Sequence, residues 1–345
     1  MNSFATSFSR KLFHSLEERD LYPSHSIYEN VYLEIYRVGE KKLEFIKTIL
    51  TPGLWKTLIE GLGKSNGEGH CMRMLGFGHH LSIFMTAPFT IDPVKREQAA
   101  NLGMLTNFIV AIYDCFLDLN KKNPLPAWLL YLCSSASGRI VVKTFERFLP
   151  SHSRIMVRLV STYFIQLNLL ASNDEGGGVK NLIYRSIKKM YEAEQLIGND
   201  EKKIGTYWLR KSALPFVAMG LPCLLVAVKH QHISAFRFIR NLYRLGEAFG
   251  LLDDVTDLIQ DELTGQPNIV SKKLNDGREE EEVIDELCQQ TIRLLVSVYS
   301  EVQKFNLDRT ANFYTFYWTP IICVIGWIGG QYHLSAATTS GDGRN

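Results

Sequence analysis

Clustered cysteines are missing from this chain. Cys71, Cys115, Cys133, Cys223, Cys288 and Cys323 are scattered, with no CxxC pair and no tight spacing. That argues against a zinc site and against a disulfide framework. Isolated thiols of this kind usually pack as small apolar residues in a reducing compartment. An excess of one charge is missing too: 38 Lys and Arg against 36 Asp and Glu leave a net +2. No bulk field points to nucleic acid, and a small anion would need only a few local cations. Long apolar runs are also lacking. A membrane span needs roughly 20 mostly apolar residues, and the longest candidates, 214–228 and 319–330, fall short. The opening MNSFATSFSRKLFHSLEERD has no unbroken apolar core of a secretory signal. With a mean hydropathy of −0.05, the expectation is a soluble, cytoplasmic protein without a stable membrane span.

Strand-like alternation is scarce, and helical periodicity dominates. Apolar residues recur at three- and four-residue steps through 31–49, 97–119, 127–148, 155–170, 179–197, 207–228, 233–263, 279–305 and 311–328. Breaks fall at the NDEGGG of 173–178, at 198–205, at 265–267 and at 275–277. None is long enough to be a domain linker, and no internal repeat is present. An apolar fraction of 46% supplies a substantial core. The reading is all-α: a single large helical bundle over residues 1–335. The small, polar AATTSGDGRN of 336–345 is expected to be a disordered tail.

The most informative segment is GEAFGLLDDVTDLIQDELTGQPNIVSKKL at 246–274. Asp253, Asp257 and Asp261 stand at i, i+4, i+8, which puts three carboxylates on one stripe of a helix. Phe249, Leu251, Leu252, Leu258 and Ile259 flank them, so the stripe faces inward. Like charges one turn apart repel, and a hard divalent cation with oxygen ligands offsets that cost. A second pair, Asp114 and Asp118, lies at i, i+4 in the apolar FIVAIYDCFLDLN of 108–120. Carboxylates in so apolar a helix are costly to bury without a counter-charge. Two acidic stripes on two apolar helices suit metal ions held between them, because Mg²⁺ binds through a few carboxylates plus phosphate oxygens. A solvated acidic face is the plain alternative, and the apolar flanks weigh against it.

A cation stands where a phosphorylated ligand would want one. Lys211 lies in YWLRKSALPFVAM at 207–219, part of an apolar helix expected to hold both Pro215 and Pro222 inside it. Interior prolines kink a helix. Arg210 is adjacent in sequence but about 100° round the helix, so only one of the two points directly inward. A lysine snorkelling at the surface remains open from this segment alone.

These residues resemble the superfamily of trans-isoprenyl diphosphate synthases and class I terpene synthases. Phe249 followed by Asp253-Asp254-Val255-Thr256-Asp257, with the Gly265-Gln266-Pro267 turn after it, resembles that superfamily's second aspartate-rich motif. Asp114–Asp118 is similar to the first, with Cys115 in place of the middle aspartate. Lys121-Lys122-Asn123-Pro124 resembles the basic pair and proline that often follow it. Arg210-Lys211-Ser212 resembles the Lys-Thr motif, and the 42 residues from Lys211 to Asp253 agree with the usual interval. The likeness covers 97–274 well and the rest only in its helicity.

The resemblance implies the isoprenoid synthase fold with a central active-site cavity, and two or three Mg²⁺ ions. Asp114, Asp118, Asp253, Asp257 and Asp261 would be metal ligands. Lys211, Arg210, Phe108, Phe249 and Lys272 would bind a prenyl diphosphate, and a homodimer stays open. Phe108, Tyr113, Trp208, Phe216, Phe249, Tyr314, Phe316, Tyr317, Trp318 and Trp327 are candidates for lining a carbocation pocket, although most aromatics of a bundle are core. There are departures. The Gly-Lys-x-x-Arg stretch that binds isopentenyl diphosphate has no match before Asp114, the Gln after the motif phenylalanine is Gly250, and the Arg-Tyr pair of plant and fungal cyclases is replaced by Gly330-Gln331-Tyr332. The expected activity is a Mg²⁺-dependent terpene synthase. Chain elongation by a prenyl diphosphate synthase is the alternative, and a non-catalytic partner subunit is a third.

Overall fold

The computed structural model describes residues 3–21, 25–62, 67–87, 89–120, 123–173, 177–196, 204–227, 234–265 and 267–304. Every regular element among them is helical: α1 Ser3–Glu17, α2 His25–Ile49, α3 Pro52–Gly61, α4 Gly67–Thr86, α5 Pro93–Asn120, α6 Ala127–Ser134, α7 Ala136–Phe145, α8 Ser151–Leu170, α9 Gly178–Leu196, α10 Ile204–Gly220, α11 Ala235–Thr256, α12 Leu258–Thr264, α13 Ile269–Asn275 and α14 Glu280–Gln303. The all-α expectation holds. The chain divides into two compact units, one of Met1–Tyr32, Ser186–Val217 and Ile233–Asn345, the other of Leu33–Arg185 and Ala218–His232.

In the first unit α1 packs against α11 and α14. Phe4, Phe8, Leu12 and Leu16, one turn apart, are buried along α1. They form an amphipathic stripe of helical period. On α14, Val283, Leu287, Leu295, Val298 and Val302 are buried likewise. The thiol of Cys288 reaches the Phe8 carbonyl at 3.5 Å, and Lys11 pairs with Asp285 at the rim.

In the second unit α5 is the central helix, packed on α4 and α8. Asp92 caps it, its Oδ1 accepting from the N–H groups of Val94 and Lys95, and Pro93 at the first position lacks the N–H that would go unpaired there. Over Pro93–Leu117, α5 is long and apolar enough to cross a membrane. The sequence reading missed this because Asn101, Thr106, Asn107 and Asp114 interrupt every unbroken apolar run. More than half of the most apolar eighteen residues of that stretch are buried, including Leu102, Met104, Leu105, Phe108, Ile112 and Phe116, which is how the core helix of a bundle also looks. At Gly76 of α4 an added Cβ would run into the Ile35 carbonyl of α2, so only glycine admits the two backbones so close.

Several boundaries differ from the periodic reading. Residues 127–148 form two helices, because Ser135 is extended (φ −110°, ψ 151°) and caps α7 by accepting from Gly138 N–H at 3.0 Å. Pro215 lies inside α10, whereas Pro222 sits in a 3₁₀ turn at Leu221–Leu225 that ends it. The helix expected over 233–263 is broken at Asp257 into α11 and α12. Helices α1, α3, α4 and α13 were not expected from the sequence. The helix over 311–328 and the tail at 336–345 lie outside the described residues.

Candidate functional site

The acidic helix is built in the first unit. An added Cβ on Gly246 would stand 2.6 Å from Cα of Ala213 and 2.9 Å from the Ser212 carbonyl oxygen. Here α10 and α11 therefore touch backbone to backbone, immediately after Lys211. Helical spacing places Gly246, Gly250 and Asp253 on one stripe of α11, at i, i+4, i+7, and Asp257 follows at i+11 where the helix ends. The face seated on α10 at Gly246 thus carries the first two carboxylates further along. Phe249 packs its ring against Phe216 of α10, centroids 5.1 Å apart, which ties the same two helices one turn on. Lys211, Phe249, Asp253, Asp257 and Asp261 are all half-buried, and Lys272 on α13 is exposed.

The stripe survives the break at Asp257. Asp257 N–H donates to the Asp253 carbonyl at 2.9 Å, and Asp261 N–H to the Asp257 carbonyl at 2.8 Å. Three successive carboxylate-bearing residues are thereby joined by helical hydrogen bonds. Thr256 Oγ1 donates to the Asp253 carbonyl at 2.8 Å and lies 3.4 Å from Asp257 Oδ1.

The turn at the end of the stripe holds it in place. Gly265 closes α12 in the left-handed region (φ 71°, ψ 26°), its N–H donating to the Asp261 carbonyl. This conformation suits glycine at a helix end. The chain turns back, and Asn268 Nδ2 donates to the Asp254 carbonyl and to Asp261 Oδ2, both at 2.7 Å. Asn268 Oδ1 meanwhile caps α13, accepting from the N–H groups of Val270 and Ser271. The buried carboxylate of Asp254 accepts from Ile269 N–H at 2.8 Å. Of the aspartates in DDVTD, the second is thus a structural clasp. Asp254 and Asn268 were not singled out from the sequence.

Asp114 is in the other unit, half-buried near the end of α5. The preceding residue, Tyr113, donates its hydroxyl to Asn123 Oδ1 at 3.2 Å, and the same oxygen accepts from Leu125 N–H at 2.9 Å. This fastens the end of α5 to the start of α6. Cys115 is half-buried, and Phe108 is fully buried in the α5 core. The side chains of Asp118, Arg210 and Trp208, and all of Tyr314 to Trp327, lie outside the described residues.

The donor set fits magnesium by its chemistry. Among the described residues no three metal-ligating side chains form one cluster, and Mg²⁺ does not need one. It dehydrates reluctantly and is commonly held by one or two carboxylates with substrate phosphates completing the shell. Asp253, Asp257 and Asp261 offer oxygen-only donors one turn apart, with Asn268 fixing the orientation of Asp261.

No family model matches the chain, and no curated protein matches it. Among solved structures, the crystal structure of geranylgeranyl pyrophosphate synthetase from Pyrococcus horikoshii Ot3 superposes with a TM-score of 0.52 at 12% identity, covering 86% of this chain and 98% of that one. At so low an identity the likeness is one of fold: this chain has the all-α fold of that isoprenoid synthase.

Proposed function

We propose that this chain is a Mg²⁺-dependent class I terpene synthase that ionises a linear prenyl diphosphate. The observation that supports it most is the α10–α11 seam. Gly246 brings the backbone of Ser212 and Ala213 against the helix face that goes on to carry Asp253 and Asp257. A lysine motif and a carboxylate stripe, each weak alone, thereby share one helix pair.

Mg²⁺ held by one or two of Asp253, Asp257 and Asp261, with phosphate oxygens completing its shell, would neutralise the diphosphate as a leaving group. Lys211 donates charge-assisted hydrogen bonds to the phosphate oxygens. Asn268 keeps Asp261 oriented, so less reorganisation accompanies the reaction. The allylic C–O bond breaks, its electron pair leaves with the diphosphate, and an allylic cation remains. Phe249, one turn before Asp253, offers a ring face to that cation.

Chain elongation is the second reading, favoured by the fold shared with the geranylgeranyl pyrophosphate synthetase; against it stands the missing Gly-Lys-x-x-Arg stretch. The deciding experiment incubates the protein with Mg²⁺ and geranyl, farnesyl, geranylgeranyl or geranylfarnesyl diphosphate, with and without isopentenyl diphosphate. A hydrocarbon or alcohol with released diphosphate supports the terpene synthase. A longer prenyl diphosphate, formed only with isopentenyl diphosphate, replaces it with the second reading. No diphosphate release from any substrate overturns both.

A further inference from the structure

The second unit carries an apolar surface that the proposed chemistry does not use. On α6, Trp128 and Tyr131 are exposed although they sit one turn apart on a helix whose other face, Leu129, Leu130 and Cys133, is buried. On α7 and the turn after it, Ile140 and Phe148 are exposed while Val142 is buried. Tyr131 and Phe148 keep 66% and 71% of their surface in solvent, far more than core packing leaves to such rings. Trp128 meets Phe145 at 5.8 Å between centroids, which joins the two helices along one edge of this surface. Large exposed apolar patches mark interaction surfaces.

The charge on this face selects the partner. Lys143 and Arg147 are exposed on the same segment, and the Arg147 guanidinium lies 4.7 Å from the centroid of the Phe148 ring. Over residues 127–149 the one carboxylate is Glu146, half-buried and paired with Arg158. The exposed surface is therefore apolar and cationic, with no exposed acid. Protein interfaces exclude lysine from their apolar centres. Aromatic rings mixed with lysine and arginine are instead the composition of faces that lie in the headgroup layer of a membrane, where anionic lipids attract the cations. The hydrogen bonds through Asn123 fasten this surface to the turn of α5 that bears Asp114.

We infer that the α6–α7 face docks the protein peripherally on an anionic bilayer. The test is flotation of the full-length protein with vesicles of phosphatidylcholine alone or with roughly one-third phosphatidylserine. The expected result is recovery with the phosphatidylserine vesicles, release by high salt, and little recovery with phosphatidylcholine alone. Each cation near a charged surface contributes about a fivefold change in affinity. Lys143→Glu with Arg147→Glu should therefore weaken binding by at least about twentyfold. Trp128→Ser with Phe148→Ser should weaken it while leaving the charge unchanged. Circular dichroism checks that both variants remain folded. Absence of binding to either vesicle, or equal binding by the variants, overturns the inference. So does sedimentation velocity showing self-association that the Trp128 and Phe148 variant loses, because a second copy would then cover the face.

Discussion

Gly246 of α11 lies so close to Ala213 of α10 that a Cβ would stand 2.6 Å from the alanine Cα and 3.0 Å from its carbonyl oxygen. Backbone atoms cannot swing aside as the end of a flexible side chain can, so the helices must separate to admit a methyl group.

Gly246→Ala is therefore expected to destabilise the protein by about 1–3 kcal/mol, as overpacking does. It should also lower turnover further than the stability loss explains, because it moves the lysine helix off the carboxylate helix. Gly53→Ala is the control: nothing lies within 4 Å of its added Cβ, and a glycine in a helix is usually improved by alanine. Thermal melts and diphosphate release, measured on both variants, check this. Equal behaviour of the two would remove the seam from the argument.

The three aspartates of residues 253–257 should separate by role. Asp254→Ala takes away the acceptor of Ile269 N–H, and an orphaned buried donor costs about 1–3 kcal/mol. Asp253→Ala and Asp257→Ala remove half-buried charges that repel one another at i, i+4, so the metal-free protein should keep or slightly raise its stability. Both should lose diphosphate release, as should the wild type in excess EDTA. If Asp253→Ala unfolds the protein, that carboxylate was structural.

The carboxylate stripe was legible in the sequence because it depends only on helix periodicity, which the backbone preserves through the break at Asp257. Asp254 was not. Its partner lies fifteen positions on and reaches it only because Gly265 adopts a positive φ. The Gly246–Ala213 approach was equally hidden, since a glycine in a helix reads as a weakness until the neighbouring helix is in place. The break at Ser135 left no trace in an apolar pattern that continues on both sides of it. The long run of α5 was overlooked for the reverse reason: single polar residues divided a stretch whose burial comes from α4 and α8.

The α2–α4–α5 junction should report itself through pH. His79 Nε2 lies 3.1 Å from both Glu97 oxygens, and Lys42 donates to Glu97 and, at 2.9 Å, to Asn101. The hydrogen bond from His79, helped by Lys42 and opposed by partial burial, holds the Glu97 carboxyl down at about 2 from its ordinary 4.5. A depressed carboxylate stabilises the fold fully above its unfolded value, and that contribution disappears as pH falls through the folded one. Wild type should therefore exceed Glu97→Gln in stability at neutral pH, and the gap should narrow from pH 4.5 down to about 2. Glu97 is 43% exposed, so solvent screening keeps the gap small. Burial of His80, held at about 4, adds a separate loss on acidification from pH 6.5. That loss is common to both proteins and cancels in the difference. Urea titrations across this range measure it, and a gap independent of pH would show that the junction is not held by charge.

Lys211 gives the most direct test of the site. It is half-buried on α10, one position before the backbone that Gly246 meets, and Pro215 one turn later offers no N–H to the helix. If its ammonium binds the diphosphate, Lys211→Ala loses a charge-assisted contact worth about 1.5–3 kcal/mol. That corresponds to roughly a ten- to hundredfold fall in kcat/KM. Lys211→Arg should recover only part of it, because a planar guanidinium does not reproduce a compact ammonium. Lys272 tests the reach of the site. It is exposed on α13, and an exposed lysine lacks the desolvation that strengthens a charge contact. Lys272→Ala should thus lower kcat/KM less than Lys211→Ala at physiological salt and converge on wild type as salt rises. Steady-state diphosphate release at two ionic strengths measures both. An unchanged kcat/KM in Lys211→Ala, with Asp253→Ala inactive, would keep the metal-binding stripe and assign the lysine to packing.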